Sequence, residues 1–484
     1  MKDLYNINFL THKPYLSKKE TESYILLKLL APAKISAGTR NELNIVFAID
    51  VSGSMDERAS NDTVTIKTNG YWAKKPKPLW PDLIPSTPKW INNTDYTIPQ
   101  IPEPFDYNNH NINPGPDYIW IEGSSYQKHV SKLDRVKEAV TTAIQKLNVN
   151  DSFSIVTFAN DAQVIFSSSK ATETNKQRAL QAIQTLRAAG GTALHSGWKL
   201  GAEQVCNGMT PLSLNRVLLL TDGEANIGIK DADTLCSHVN GLSEHKVSTS
   251  TFGVGQSFNE DLLTGMSEAG DGQYYYLSDS DNISASFEEE FSGLSQLFSS
   301  NLRMNVTSNF GIVEVMNTFK QNEDIYYLPN GIRGNELHIL LKVKYSTGDS
   351  KNNKHMALKA SINYEDASKK QRAQTIDIEI PFGTAKQVDS AFENAEVAKK
   401  ILAFEAAKAK REAMKALDAG DFQTSNSILR GATMMMCASA YSADLSSETQ
   451  ALNTLVAMSD SGVDNKKLRK MALYEAYNND RSKT

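Results

Sequence analysis

At 484 residues the chain exceeds a single hydrophobic core, so two to four domains are expected. An apolar share of 40% with 22% charged residues is an ordinary globular composition, and a formal charge of −5 gives no electrostatic reason to expect a nucleic-acid partner. Cys206, Cys236 and Cys437 are an odd count without metal-type spacing, which argues against a disulfide framework; nowhere do about 18 apolar residues run together, which removes a membrane span.

The first residues, Met1-Lys2-Asp3-Leu4-Tyr5-Asn6, lack a basic segment leading into an apolar stretch, so no signal peptide is expected and the natural reading is cytoplasmic. Residues 20–31, with Tyr24-Ile25-Leu26-Leu27-Lys28-Leu29-Leu30, read as a strand that Pro32 and Gly38 separate from the next apolar run. This region, 1–38, is a candidate to join a sheet further along the chain.

The run Leu43-Asn44-Ile45-Val46-Phe47-Ala48-Ile49 is unbroken apolar but for one residue and ends in a carboxylate, the pattern of a buried parallel strand. Ligand sites in open α/β sheets sit at the carboxyl ends of the strands. There, Asp50-Val51-Ser52-Gly53-Ser54-Met55 brings three oxygen side chains onto one loop, with Gly53 allowing a tight turn. Hard oxygen ligands of this kind suit Mg²⁺ or Mn²⁺ better than zinc. The other reading of the hexapeptide is an ordinary strand-to-helix turn capped by Ser.

Residues 56–130 read as an insertion. They hold four of the 5 Trp (Trp72, Trp80, Trp90, Trp120) and ten of the 15 Pro. Proline at that density excludes a central strand or a long helix. A disordered linker is one reading, but linkers are poor in aromatics; Tyr71, Tyr96, Phe105, Tyr107 and Tyr118 with the Trp favour an irregular, ordered excursion packed by its own rings and starting on the metal face.

A capping-box-like start at Ser131-Lys132-Leu133-Asp134 opens a helix with Leu133, Val136, Val140, Ile144 and Leu147 on one face. A strand at Phe153–Phe158, an edge partner at Ala162–Phe166 and a helix near 174–188 come next. Gly190-Gly191-Thr192-Ala193-Leu194 opens another helix and offers the Thr192 hydroxyl, and Val217-Leu218-Leu219-Leu220-Thr221-Asp222-Gly223 is a second apolar strand ending in a carboxylate. A helix near 230–244, strands at Val247–Val254 and Tyr274–Leu277, and a closing amphipathic helix at 282–298 complete a strand–helix alternation. Such alternation means an α/β fold with a doubly wound parallel sheet.

From 301 to 386 the pattern changes to strict alternation with turn residues between runs, the signature of a small antiparallel β-sandwich. Residues 387–484 read as a helical domain, Ala-, Lys- and Glu-rich from 388: Val397, Ile401, Phe404, Met414 and Leu417 lie at helical intervals with Gly420 as a helix stop, and further helices fall near 421–440, 446–459 and 464–478. Met434-Met435-Met436 reads as core of the helical hairpin in preference to a sticky partner surface.

The D-x-S-x-S loop, the Gly-Gly-Thr helix start and the strand ending T-D-G, in this order, closely resemble the von Willebrand factor A (VWA) family. The resemblance implies a VWA domain at 39–300 and carries that family's metal-ion-dependent adhesion site (MIDAS) onto Asp50, Ser52, Ser54, Thr192 and Asp222. It further implies that Ser52, Ser54 and Thr192 touch the ion, that the aspartates act directly or through water, and that one position stays open. Gly53, Asp56, Gly191 and Glu224 stand behind these ligands as supporting candidates, Asp56 and Glu224 being solvated or supporting rather than direct. The order of VWA core, sandwich and helices with an Ala419-Gly420-Asp421 turn resembles intracellular VWA proteins of bacteria and plants, including the plant RING-type ligases; three cysteines cannot build a RING.

A site built mainly from neutral hydroxyls leaves Mg²⁺ short of negative charge, so it attracts an outside carboxylate. The expected function is therefore a non-enzymatic, Mg²⁺- or Mn²⁺-dependent adaptor that binds an Asp or Glu of a protein partner. Two other classes stand beside it. A metal-dependent hydrolase would need a general base or a second ion about 3.5–4 Å away, and His195 is the residue to propose, although a packed or exposed histidine explains it as well. A scaffold would use the ion only to hold its loops. The resemblance also suggests that the closing helix could shift and pull on the strand starting near Leu302, against the alternative of a rigid junction.

Overall fold

In the computed structural model, residues 4–18, 22–33, 42–67, 71–74, 118–121, 125–211, 213–278, 283–309, 311–346, 354–366, 369–462 and 464–481 are described. They divide into two units, Met1–Glu57 with Lys132–Thr484, and Arg58–Ser131. The chain begins with strands β1 (Asn6–Thr11), β2 (Glu22–Leu30) and β3 (Leu43–Asp50). The second unit holds β4 (Arg58–Lys67), β5 (Tyr71–Lys74), β6 (Tyr118–Ile121) and β7 (Ser125–Ser131). The first unit resumes with α1 (Lys132–Lys146), β8 (Ser152–Phe158), β9 (Ala162–Lys170), α2 (Glu173–Thr185), α3 (Leu194–Asn207), β10 (Leu214–Thr221) and α4 (Ala232–Glu244). Next come β11 (Val247–Val254), α5 (Glu260–Ala269), β12 (Tyr274–Leu277) and α6 (Ile283–Ser295).

β3 lies inside a six-stranded sheet ordered β12-β11-β10-β3-β8-β9, parallel except for β9, which pairs antiparallel at the edge. Every residue of β3 is buried because both faces are covered. Ile45, Phe47 and Ile49 face one layer with Val136, Val140, Ile183 and Phe287, while Val46 and Ala48 face the other with Trp198, Leu235 and Leu262. Burying each of the larger side chains contributes about 1.5–3 kcal/mol. The unbroken apolar run is thus two interleaved faces with period two. α5 has no counterpart in the sequence reading; Asn259 caps it, accepting from Leu262 N–H at 3.0 Å.

Gly197 lets α3 lie directly on β8, since a Cβ there would come within 2.2 Å of Phe158 Cδ1. That contact fixes the helix entered through Thr192.

The sandwich strands are β13 (Leu297–Ser308), β14 (Ile312–Val315), β15 (Lys320–Asn322), β16 (Ile325–Tyr327), β17 (Gly331–Ile332), β18 (Glu336–Lys344), β19 (His355–Asp366) and β20 (Gln371–Pro381). One sheet runs β1-β2-β18-β14 and the other β15-β16-β13-β19-β20, with β17 also on β13. They share a core of Ile25, Leu27, Ile339 and Leu341 from one sheet and Met304, Leu358, Ile362 and Ile378 from the other. The hydrophobic period predicts a closing helix to 298, but α6 ends at Ser295 and β13 begins at Leu297. Phe298 explains the difference: it belongs to the sandwich core, edge-on to Tyr5 with ring centroids 5.0 Å apart.

After a short helix, Ala385–Asp389, helices Ala395–Asp418, Phe422–Ala438, Ser446–Asp460 and Asn465–Asp480 close the chain. Gly420 takes φ +79° to end the first long one. Met436 is buried in their core whereas Met434 is 71% exposed, so the methionine triplet divides between core and surface with the helix rotation. These helices do not stand apart. Tyr477 enters the core beneath the parallel sheet, Tyr274 N–H donates to its hydroxyl at 3.0 Å, and Lys470 ion-pairs with Glu260. Among the described residues, no helix is long and apolar enough to cross a membrane.

In the second unit β4 pairs antiparallel with β7, and β5 with β6. The irregular excursion expected for 56–130 is therefore regular at both flanks. The reason is local: all ten of its prolines fall from Pro76 to Pro116, leaving both flanks free to donate ladder hydrogen bonds. Trp80, Trp90, Tyr96, Phe105 and Tyr107 lie outside the described residues.

Candidate functional site

Ile49 and Leu220 are partners on neighbouring parallel strands, so Asp50 and Thr221 end their strands side by side. Asp50 is fully buried. Its Oδ1 accepts from Ser52 N–H at 2.8 Å and its Oδ2 from the Thr221 hydroxyl at 2.5 Å. Burial pushes its carboxyl pKa up to about 6; the Ser52 and Thr221 hydrogen bonds oppose this, and the charge of Asp222 adds to it.

From there a chain of oxygens crosses the loops. Ser52 Oγ and Ser54 Oγ are 3.1 Å apart, and Ser54 Oγ donates to Asp222 Oδ1 at 2.7 Å. Thr192 comes alongside: a methyl on Gly223 would lie 3.2 Å from Thr192 Oγ1 and 3.7 Å from Ser54 Oγ. Ser52, Thr192 and Asp222 are buried, while Ser54 is half-buried and opens the site to the surface. Asp222 Oδ2 accepts from Lys132 Nζ at 2.9 Å, and the same ammonium reaches Glu57 Oε2 at 2.6 Å. Burial alone would lower the lysine pKa, but the hydrogen bonds to Glu57 and Asp222 hold it above the ordinary value.

Backbone hydrogen bonds lock the three loops together. Gly53 N–H donates to Gly190 O at 3.0 Å, Ala189 N–H to Val51 O at 2.8 Å and Asn226 N–H to Thr192 O at 3.1 Å, while Ala193 N–H reaches Ala159 O at 2.7 Å. Gly190 turns with φ +84°. Gly191 N–H donates to Asn160 Oδ1 at 2.7 Å, and Thr192 N–H to Asn226 Oδ1 at 2.8 Å, so two Asn side chains hold the loop bearing Thr192.

Of the supporting candidates, Gly53 and Gly191 act through these loop bonds, and Asp56 and Glu224 are exposed. His195 turns to α4, where its Nε2 lies 3.1 Å from His238 Nδ1; burial first, and then the His238 charge, hold its pKa down. Sequence reading missed Lys132, Glu57, Asn160 and Asn226. Lys132 carried one weak signal, a cation leading an amphipathic helix; the two asparagines carried none beyond an affinity for turns.

Oxygens bound to one Mg²⁺ at about 2.0–2.1 Å lie about 2.9 Å apart along octahedral edges. The separations of 3.1 and 2.7 Å along Ser52, Ser54 and Asp222 bracket that value, so these three hard oxygens are already spaced as neighbouring ligands of an octahedral ion would be.

Comparison with known proteins bears on the same core. The von Willebrand factor type A domain family matches residues 121–289. A solved structure described as von Willebrand factor type A from Catenulispora acidiphila covers 99% of this chain and 97% of its own, with a TM-score of 0.61 and 16% identity. The chain contains a von Willebrand factor type A (VWA) domain. The ArnB paralog VWA2 from Sulfolobus acidocaldarius is similar over 99% of this chain and 98% of its own, at a TM-score of 0.55 and 13% identity, so the likeness in fold extends past the VWA domain. YfbK of Escherichia coli K12 is 33% identical over 147 residues, 30% of this chain and 25% of YfbK. Protein sll0103 of Synechocystis is 28% identical over 34% of this chain and 38% of its own length. The chain thus matches well under half of either relative. The family match includes Thr192 and Asp222 but begins at 121, beyond Asp50, Ser52 and Ser54, which most of the second unit separates from it along the chain.

Proposed function

We propose that Asp50, Ser52, Ser54, Thr192 and Asp222 form a metal-ion-dependent adhesion site for Mg²⁺ or Mn²⁺, and that the protein is a non-enzymatic adaptor binding an Asp or Glu of a protein partner there. The convergence of two carboxylates and three hydroxyls from three loops carries this reading, with Ser54 Oγ 3.1 Å from Ser52 Oγ and 2.7 Å from Asp222 Oδ1. A bound ion would supply an electrophilic coordination position for an external carboxylate. The chain's own residues orient that position: Thr221 and the Ser52 amide hold Asp50, Ser54 holds Asp222 Oδ1, and Asn226 holds the Thr192 backbone. The pairing of His195 with His238 supports binding over hydrolysis, since it turns the imidazole nearest in sequence to the site toward α4. Three free cysteines suit a reducing cytoplasm, the proposed location.

Titration calorimetry with Mg²⁺ and Mn²⁺ tests the site. Wild type should bind one ion and Asp50→Ala none; equal binding by both would overturn the assignment. Capture of a carboxylate-bearing peptide that disappears in EDTA separates the adaptor from a scaffold.

A further inference from the structure

We infer that Lys132 is a built-in cation of the metal face, cancelling one carboxylate so that a bound divalent ion retains positive charge for an incoming anion. This rests on the metal reading above and concerns how that site selects its ligand. The Lys132 side chain is only 5% exposed, and its ammonium sits 2.9 Å from Asp222 Oδ2. Its second partner, Glu57, is 60% exposed and hence screened by water, so the buried Asp222 is the stronger electrostatic partner. The two oxygens of Asp222 are divided between roles: Oδ1 faces the Ser54 hydroxyl and Oδ2 faces the ammonium.

Counting the buried charged groups at the site, Asp50 and Asp222 are negative and Lys132 positive, which leaves one net negative charge. A divalent ion turns that into one net positive charge, and a single external carboxylate neutralises it. Without the lysine the two aspartates would offset both charges of the ion, and an external anion would be held more weakly. A lysine held this deep is costly unless paired, and its bond to the buried Asp222 offsets that cost. The lysine is also placed by the chain: it opens α1, and its own N–H donates to Glu57 O at 3.0 Å, which brings Glu57 beside it.

The test is Mn²⁺ titration of the full chain, alone and with acetate as the anion probe. Lys132→Met and Lys132→Gln both remove the charge, Gln keeping a hydrogen-bond donor, while Lys132→Arg keeps it. The neutral variants should bind Mn²⁺ about tenfold more tightly or better, because a cation on the far oxygen of Asp222 no longer opposes the ion. Acetate should strengthen Mn²⁺ binding by wild type and Lys132→Arg several-fold more than it strengthens binding by the neutral variants. If Lys132→Met does not fold, Lys132→Gln decides alone. Neutral variants that bind no more tightly than wild type, with the acetate effect intact, would overturn the inference and leave Lys132 a simple clamp. Failure of every form to bind Mn²⁺ would instead sink the metal reading itself.

Discussion

The Thr221 hydroxyl donates to Asp50 Oδ2 across the ends of two adjacent strands at 2.5 Å. Neither group reaches this geometry through its own loop; the parallel pairing of β3 with β10 sets it. The bond keeps a fully buried carboxylate oriented by the protein itself, and with the Ser52 amide on the other oxygen it predefines where a ligand oxygen points.

The pH dependence of the metal-free protein should carry the mark of Asp50. Its folded value of about 6 lies above the unfolded value of about 3.9, so the folded state holds the extra proton between them. The stabilisation from this group is therefore fully present below about pH 4 and is lost as pH rises through 6, by about 3 kcal/mol at most. Asp50→Asn has no such proton to lose. In EDTA, the stability of Asp50→Asn relative to wild type should rise from pH 4 to pH 7, and excess Mg²⁺ at pH 7 should raise the melting temperature of wild type alone. A difference that stays constant across that range would contradict the burial of this charge.

Gly223 and Gly197 separate site geometry from packing. A Cβ at Gly223 meets Thr192 Oγ1 at 3.2 Å, so Gly223→Ala should weaken Mg²⁺ binding about tenfold while costing under about 1 kcal/mol of stability. A Cβ at Gly197 meets Phe158 at 2.2 Å, so Gly197→Ala should lose about 1–3 kcal/mol in urea unfolding. Equal effects of the two substitutions on affinity and stability would refute the distinction.

Glu290 should be the anchor of α6. It accepts from Arg216 on β10 at 3.0 Å, from Ser250 on β11 at 2.7 Å and from Tyr275 on β12 at 3.0 Å, all buried. Glu290→Ala leaves the Arg216 guanidinium buried without its carboxylate and should cost about 3–5 kcal/mol, and adding Arg216→Met should recover part of that loss. The same anchor favours a rigid junction over a sliding helix. Hydrogen exchange across 283–308 should stay unchanged when Mg²⁺ and a carboxylate peptide are added; increased exchange confined to α6 would show that it moves.

Much of this was written in the linear chain. The run from Leu43 to Ile49, apolar but for Asn44 and leading into Asp50, reads as a strand buried on both faces, and such a strand delivers its last residue to the ligand-binding edge of the sheet. Ser52, Ser54 and Asp222 are located by short motifs at strand ends and Thr192 by a Gly-Gly-Thr helix start, and the sandwich and helices announce themselves by their periods. Contacts between distant segments were not legible. Nothing in Lys132 or its neighbours says that it is buried, because its partner Asp222 arrives from another strand through sheet order alone. Phe298 looked like one more apolar residue of a helix until the sandwich offered it Tyr5, and Met434 and Met436 differ only in which way a packed helix turns them. Local propensity and hydrophobic period decide which elements form and which oxygens line an edge. Only the packed tertiary structure decides which charges meet there, because pairing energies depend on burial that no single segment provides.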